Sequence, residues 1–202
     1  MISSIDKTRL LVVEGPDDEK FFYGLFKAIS LPNIQIIPIH GKDKLRPSIE
    51  AIRNLPNFEI VDRLGVIRDA DTSSKNTFHS ICDALSAVDL PRPKRVGVPF
   101  GRNPRIGVYI LPGRGKSGML EDLCFSSVED QPQSACVAEF LKCIKRKKGK
   151  QPSPLAKAKI QAYLASLPKP GLRLGEAAEK GYWPFESPAF KSVKAFLRAL
   201  FR

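Results

Sequence analysis

The chain has 202 residues and carries 33 lysines and arginines against 21 aspartates and glutamates, a formal net charge of +12. That length suits one α/β domain with extra helices, and an apolar content of 43% is ordinary for a packed globular chain rather than a disordered one. No apolar run is long enough to cross a membrane, and the charge suits polyanionic partners such as nucleic acid.

Residues 8–13, with the apolar run Leu10-Leu11-Val12-Val13, predict a buried strand. It ends in Glu14-Gly15-Pro16, and Pro16 suits the first position of a helix, where its missing N–H leaves nothing unpaired. Residues 17–29 predict that helix, with Phe21, Phe22, Leu25, Phe26 and Ile29 on one face. Residues 34–39 predict a second strand, and Pro38 implies either that it lies near an edge or that its end is not paired. Gly41 turns the chain. Residues 45–54 predict a helix with Leu45, Ile49 and Ile52 as its stripe.

Residues 63–68 predict a third strand, running into Asp69-Ala70-Asp71. Ser73 or Ser74 caps a third helix to about residue 88. Residues 95–100 and 105–111 are two apolar segments joined by Gly101-Arg102-Asn103-Pro104, a spacer suited to a hairpin or a short connection. A glycine-rich basic loop, residues 112–118, precedes a helix opening at residues 119–125. Helices are then expected over residues 135–147, 155–167, 174–180 and 188–201, without a strand.

Strand and helix alternate up to residue 88, which predicts βαβ units. The fold class expected is α/β: a compact three-layer Rossmann-like parallel sheet of about four strands, helices on both faces, and a C-terminal helical extension. The expected division is an α/β domain over residues 1–130 and a helical extension packed on it over residues 131–202.

Charge is not spread evenly. Between Asp89 and Glu121 there is no acid but seven cations, Arg114 and Lys116 among them. From Lys142 to Lys159 there is again no acid, and Lys145, Arg146, Lys147 and Lys148 crowd together. Such blocks hold nucleic-acid backbones without reading sequence. A solvated surface is the plain alternative for each block.

Glu14 is expected at the carboxyl end of the first strand, on the crevice where open α/β sheets place ligands. In an extended segment, residues two apart point the same way, so Asp69 and Asp71 are expected on one side of the third strand. Carboxylates grouped like this repel unless a cation joins them. An all-oxygen set suits Mg²⁺ or Mn²⁺. Asp18, one helical turn after Glu14, can reach the same place; Asp17 and Glu19 are read as partners of the helix dipole.

The pairing of Glu14-Gly15 with Asp69-Ala70-Asp71 resembles the TOPRIM domain, named for topoisomerases and primases and shared with overcoming-lysogenization-defect (OLD) nucleases. The resemblance covers roughly residues 8–125. It implies Glu14 as general acid/base or metal ligand, Asp69 and Asp71 as Mg²⁺ ligands, and Asp18 as a further ligand of the nuclease branch. The stretch from Gly115 to Glu121 looks like the basic, Leu-Glu-containing region that follows the last core strand in nuclease-like members, which implies a catalytic role for Lys116 and a metal-ligand role for Glu121. The chain departs from the topoisomerases and primases by having Thr72-Ser73-Ser74 where they often place a glycine. It has no room for their further domains. It is most similar to short stand-alone TOPRIM-like proteins whose function is unassigned.

The expected function is therefore Mg²⁺-dependent (or Mn²⁺-dependent) processing of phosphodiesters in DNA or RNA. The alternative is a non-catalytic TOPRIM-like module that binds nucleic acid or protein. The Gly115-Lys116-Ser117 run is not a complete phosphate-binding P-loop, since the required first glycine falls at Ile110. It is read as a basic anion-contacting loop. His40 and His79 lack metal-spaced partners and are read as structural or surface residues, and Trp183 as packing the tail. Four scattered cysteines without a C-x-x-C pair, and an N-terminus (residues 1–6) without secretory pattern, lead to the expectation of a cytoplasmic protein with reduced thiols.

Overall fold

The computed structural model describes residues 4–41 and 44–202, so the first three residues used in reading the N-terminus lie outside the described residues. β1 (Arg9–Val13), β2 (Ile34–Pro38), β3 (Arg63–Asp69) and β4 (Arg105–Leu111) form a single sheet, ordered β2-β1-β3-β4. Every pairing in it is parallel. Between the strands run α1 (Pro16–Ala28), α2 (Leu45–Arg53) and α3 (Ser74–Ser86). After β4 come α4 (Leu120–Ser127), α5 (Pro132–Lys148), α6 (Leu155–Ala165), α7 (Leu174–Glu179) and α8 (Lys191–Phe201). The α/β class, the four parallel strands and the helices on both faces are as expected.

The strands are apolar on both sides because both sides are covered. Leu11, Val13, Ile67 and Leu111 join the α1 aromatics and residues of α4 to α8 in one cluster. Leu10, Val12, Leu64, Val66, Ile106 and Val108 join Ile49 of α2 and Ile81 and Leu85 of α3 in the other. β2 is an edge strand, one of the two alternatives that Pro38 implied. Ser73, not Ser74, caps α3, its hydroxyl accepting from the Asn76 amide at 3.2 Å. Trp183 is buried as read; its Nε1–H donates to the Leu174 carbonyl at 3.0 Å, and its ring stacks on Tyr163.

Residues 95–100 do not form a strand. They touch β4 through the Phe100–Ile106 bridge and the Gly97 amide, which donates to the Val108 carbonyl at 2.8 Å. Gly97 takes a left-handed φ of 76° and Pro99 has no N–H, so the ladder cannot continue.

The seat of α8 depends on two glycines opposite each other in register, Gly65 of β3 and Gly107 of β4. A Cβ on Gly107 would stand 2.7 Å from Phe196 Cε2, and one on Gly65 would stand 2.8 Å from Leu11 and 3.1 Å from Leu200. Phe196 cannot swing aside, because it is 3% exposed and stacked on Tyr109. Gly107→Ala is expected to destabilise the fold by about 1–3 kcal/mol through this overpacking. A lowered midpoint in urea at unchanged slope reads the effect; an unchanged midpoint would show that α8 is not tightly seated.

Among the described residues, no helix is long and apolar enough to cross a membrane. All four cysteines are free thiols, Cys82 and Cys124 buried, Cys136 and Cys143 exposed.

Candidate metal centre

The chain runs outward from β1 to β2, then returns to place β3 on the other side of β1. The order therefore reverses between β1 and β3, and the crevice at their carboxyl ends is where α/β sheets bind ligands. Glu14 directly follows β1, and Asp69 is the last residue of β3. Val12 pairs with Val66. Two residues on, Glu14 comes opposite Arg68 on the same face of the sheet. The Arg68 Nε lies 3.6 Å from the Glu14 Oε2. Both atoms are shut off from solvent, and neither has a hydrogen-bond partner. Asp69 alternates to the opposite face, toward α1 and α4.

Two helix N-termini close the crevice on that face. Pro16 begins α1, and its first turn carries Asp17, Asp18 and Glu19. The Asp18 Oδ2 accepts from the Gly15 amide at 3.0 Å. The Asp69 Oδ1 accepts from the Leu120 amide, the first of α4, at 2.9 Å. Each carboxylate thus satisfies one N–H that its helix leaves open.

These acids feel one another. Burial first, then the charges of Glu14 and Glu121, push Asp18 from its ordinary 3.8 up to about 7. Asp69 is driven well above the usual carboxylate range by burial and then by Asp18, Glu14 and Glu121. Glu121 is raised chiefly by burial, with Lys157 opposing the shift. The fully buried Cys124 thiol, one turn into α4, is raised by burial and then by Glu121, Asp18, Asp17 and Asp69. Glu14, Asp18, Asp69 and Glu121 therefore share one low-dielectric pocket of negative charge.

Asp71 departs from the geometry expected of it. β3 ends at Asp69, and Asp71 takes a left-handed φ of 49°. Its backbone exchanges two 2.9 Å hydrogen bonds with Gly118. The alternation rule that put Asp69 and Asp71 on one side stops where the extended backbone stops. The bridge instead ties the end of β3 to the basic loop. Among the described residues, no group of three or more His, Cys, Asp or Glu side chains is already arranged to hold a metal ion.

The loop over residues 112–118 carries Arg114 and Lys116, both exposed, and turns through left-handed Gly113, Arg114 and Gly115. Arg114 and Lys116 line a cleft of about 540 Å³ with Asp122 and Ser192. Lys145, Arg146, Lys147 and Lys148 form the last turn of α5, all exposed. They do not join the carboxylates. α6 lies between, packed on both α5 and α4. His40 and His79 are exposed.

A family model described as "Protein of unknown function (DUF3226)" matches residues 8–202. The chain belongs to that family. Among solved structures, this DUF3226 protein is similar to a hypothetical protein of Pyrococcus horikoshii OT3 at 15% identity, covering 96% of this chain and 95% of that one, with a TM-score of 0.63. It is also similar to the C-terminal region of the OLD protein of Xanthomonas campestris pv. campestris at 11% identity, covering 96% and 92%, with a TM-score of 0.51. At these identities the likeness is one of fold. No curated protein matches the chain.

Three residues of the DUF3226 site escaped the reading of the sequence. Arg68 had a local signal, a lone cation ending an apolar strand. Asp17 was read as a dipole partner, but its Oδ1 accepts from the Gly175 amide at 2.9 Å and so ties α7 to α1. Lys157 belongs to the basic block expected to hold nucleic acid, but its pairing with Glu121, Nζ to Oε1 at 4.0 Å, had no signal, since 36 residues separate the two.

Proposed function

We propose that this DUF3226 protein is a TOPRIM-type, Mg²⁺- or Mn²⁺-dependent enzyme of nuclease-like chemistry, acting on phosphodiesters of DNA or RNA. The single observation that carries this reading is the gathering of Glu14, Asp18, Asp69 and Glu121 at the switch point, where burial and then their mutual repulsion raise Asp18 and Asp69 above the ordinary carboxylate range. A divalent cation relieves that repulsion as protons do. The donor set fits Mg²⁺ and Mn²⁺, being all oxygen, and the buried Glu14 Oε2 still lacks a hydrogen-bond donor. The fold shared with an OLD protein's C-terminal region supports the same reading.

Asp69, Asp18 and Glu121 would hold the cation, with Glu14 as fourth ligand or as the group that moves a proton. Asp71, turned by its bridge to Gly118, would join them from the loop side. A cation held there supplies charge stabilisation on the phosphate and a more acidic water. Arg114 and Lys116 face solvent beside the N-terminus of α4, where they would grip the backbone, with Lys116 the candidate cation for the phosphate. The lysines ending α5 would extend that grip.

The test is turnover of a panel of single- and double-stranded DNA and RNA with Mg²⁺ or Mn²⁺. Cleavage by the wild type that disappears in Asp69→Ala and in Glu14→Gln is the expected result. The second reading, a non-catalytic binding module, is favoured by the absence of a preformed three-ligand group among the described residues. Salt-sensitive nucleic-acid binding by Asp69→Ala, together with no turnover by the wild type on any substrate, selects it.

A further inference from the structure

A cleft of about 470 Å³ opens between α4, α6 and α7, immediately beside the carboxylates. Its inner end is formed by Asp17 and Glu121. Its floor is apolar, made by Ile160, Leu164 and Leu174, each no more than 5% exposed. Its mouth carries two cations, Lys157 and Arg173, both exposed, with Gln161 between α6 and solvent. The volume lies within the 300–1,000 Å³ typical of small-ligand sites. An aliphatic floor accepts the face of a base by burying its apolar surface, and exposed cations accept its phosphate. The basic last turn of α5 leads into α6 within six residues, so a strand held on those lysines arrives at the cleft beside Lys157.

We propose that this cleft takes one unpaired nucleotide, so that nucleic acid reaches the carboxylates as a single strand. This rests on the metal-dependent nuclease reading for its purpose, but the binding does not require turnover. Lys157 is here a positioning residue, since it pairs with Glu121 as well as facing the cleft.

The experiment measures binding by fluorescence anisotropy in EDTA, with a labelled single-stranded oligothymidylate of about 12 nucleotides and a blunt hairpin duplex of the same phosphate count. Ala165→Trp and Gln161→Trp fill the cleft from exposed positions on α6. Both are expected to weaken single-strand binding about tenfold, while duplex binding through the lysine cluster changes less than about twofold. Circular dichroism melts confirm that each variant is folded. Unchanged single-strand affinity in both folded variants overturns the proposal. So does equal weakening of single strand and duplex, or failure of the wild type to bind the single strand. Absence of metal-dependent cleavage by the wild type, with the single-strand loss still seen, overturns the nuclease reading and leaves the cleft assignment standing.

Discussion

Metal-free protein is expected to lose stability as the pH rises from about 4 to about 7, and Asp18→Asn is expected to remove much of that loss. The sign follows from where the proton sits. Asp18 titrates near 7 in the folded chain and near its ordinary 3.8 in the unfolded one. Between those values the folded state holds the proton more firmly, so raising the pH favours unfolding. Below about 4 both states are protonated, and above about 7 both are ionised, so the change is confined to that window. Three units at about 1.4 kcal/mol each set an upper bound of about 4 kcal/mol, with Asp69 adding in the same direction. In EDTA at pH 8, Asp18→Asn should exceed the wild type by about 2–4 kcal/mol in chemical unfolding, and at pH 4 the two should coincide. On the proposed metal reading, Mn²⁺ should stabilise the wild type at pH 8 and help the variant much less, because the ionised cluster would be the form that binds it. Equal stability of the two proteins at pH 8 in EDTA would mean that Asp18 is not held in the pocket described.

Arg68→Met is expected to cost about 3–5 kcal/mol, the largest loss of any single change at the site. Arg68 is 6% exposed, and its guanidinium is the cation nearest the buried Glu14 oxygen, at 3.6 Å. Methionine keeps much of the apolar stem in place, so the loss reports the abandoned charge more than a cavity. The double variant Arg68→Met with Glu14→Gln separates the two causes. It should recover about half or more of the lost stability, since removing both charges leaves neither unpaired. No recovery would assign the loss to packing alone. Either outcome bears on function, because Glu14 is proposed as a metal ligand or as the group that moves a proton, and the residue that holds it was not part of the expected site.

Much of this architecture was written in local pattern. Leu10 to Val13 and Leu64 to Ile67 are apolar without alternation, and such runs are stable only when helices cover both faces. Pro38 pointed to an edge strand or an unpaired strand end, and Pro16 announced the start of α1. Phe21, Phe22, Leu25 and Phe26 spaced themselves for one buried face. Glu14 and Asp69 could be placed at strand ends for the same reason, since strand length and parity follow from the sequence alone.

What tertiary structure decided was everything that depends on one segment meeting another. Strand order brought β1 beside β3, so that Glu14 came opposite Arg68 and Asp69 came under α4. The left-handed turn at Asp71 is set by its bridge to Gly118, 47 positions away, and no local rule reports such a partner. Asp17 became a tie to α7, and Lys157 a partner of Glu121, because α6 and α7 fold back over the carboxyl ends of the strands. Side-chain type and spacing govern which elements form and which faces they bury. Packing governs which charges share a desolvated pocket, because the field of a carboxylate depends on distance through space and on excluded water, and neither is encoded in the spacing of residues along the chain.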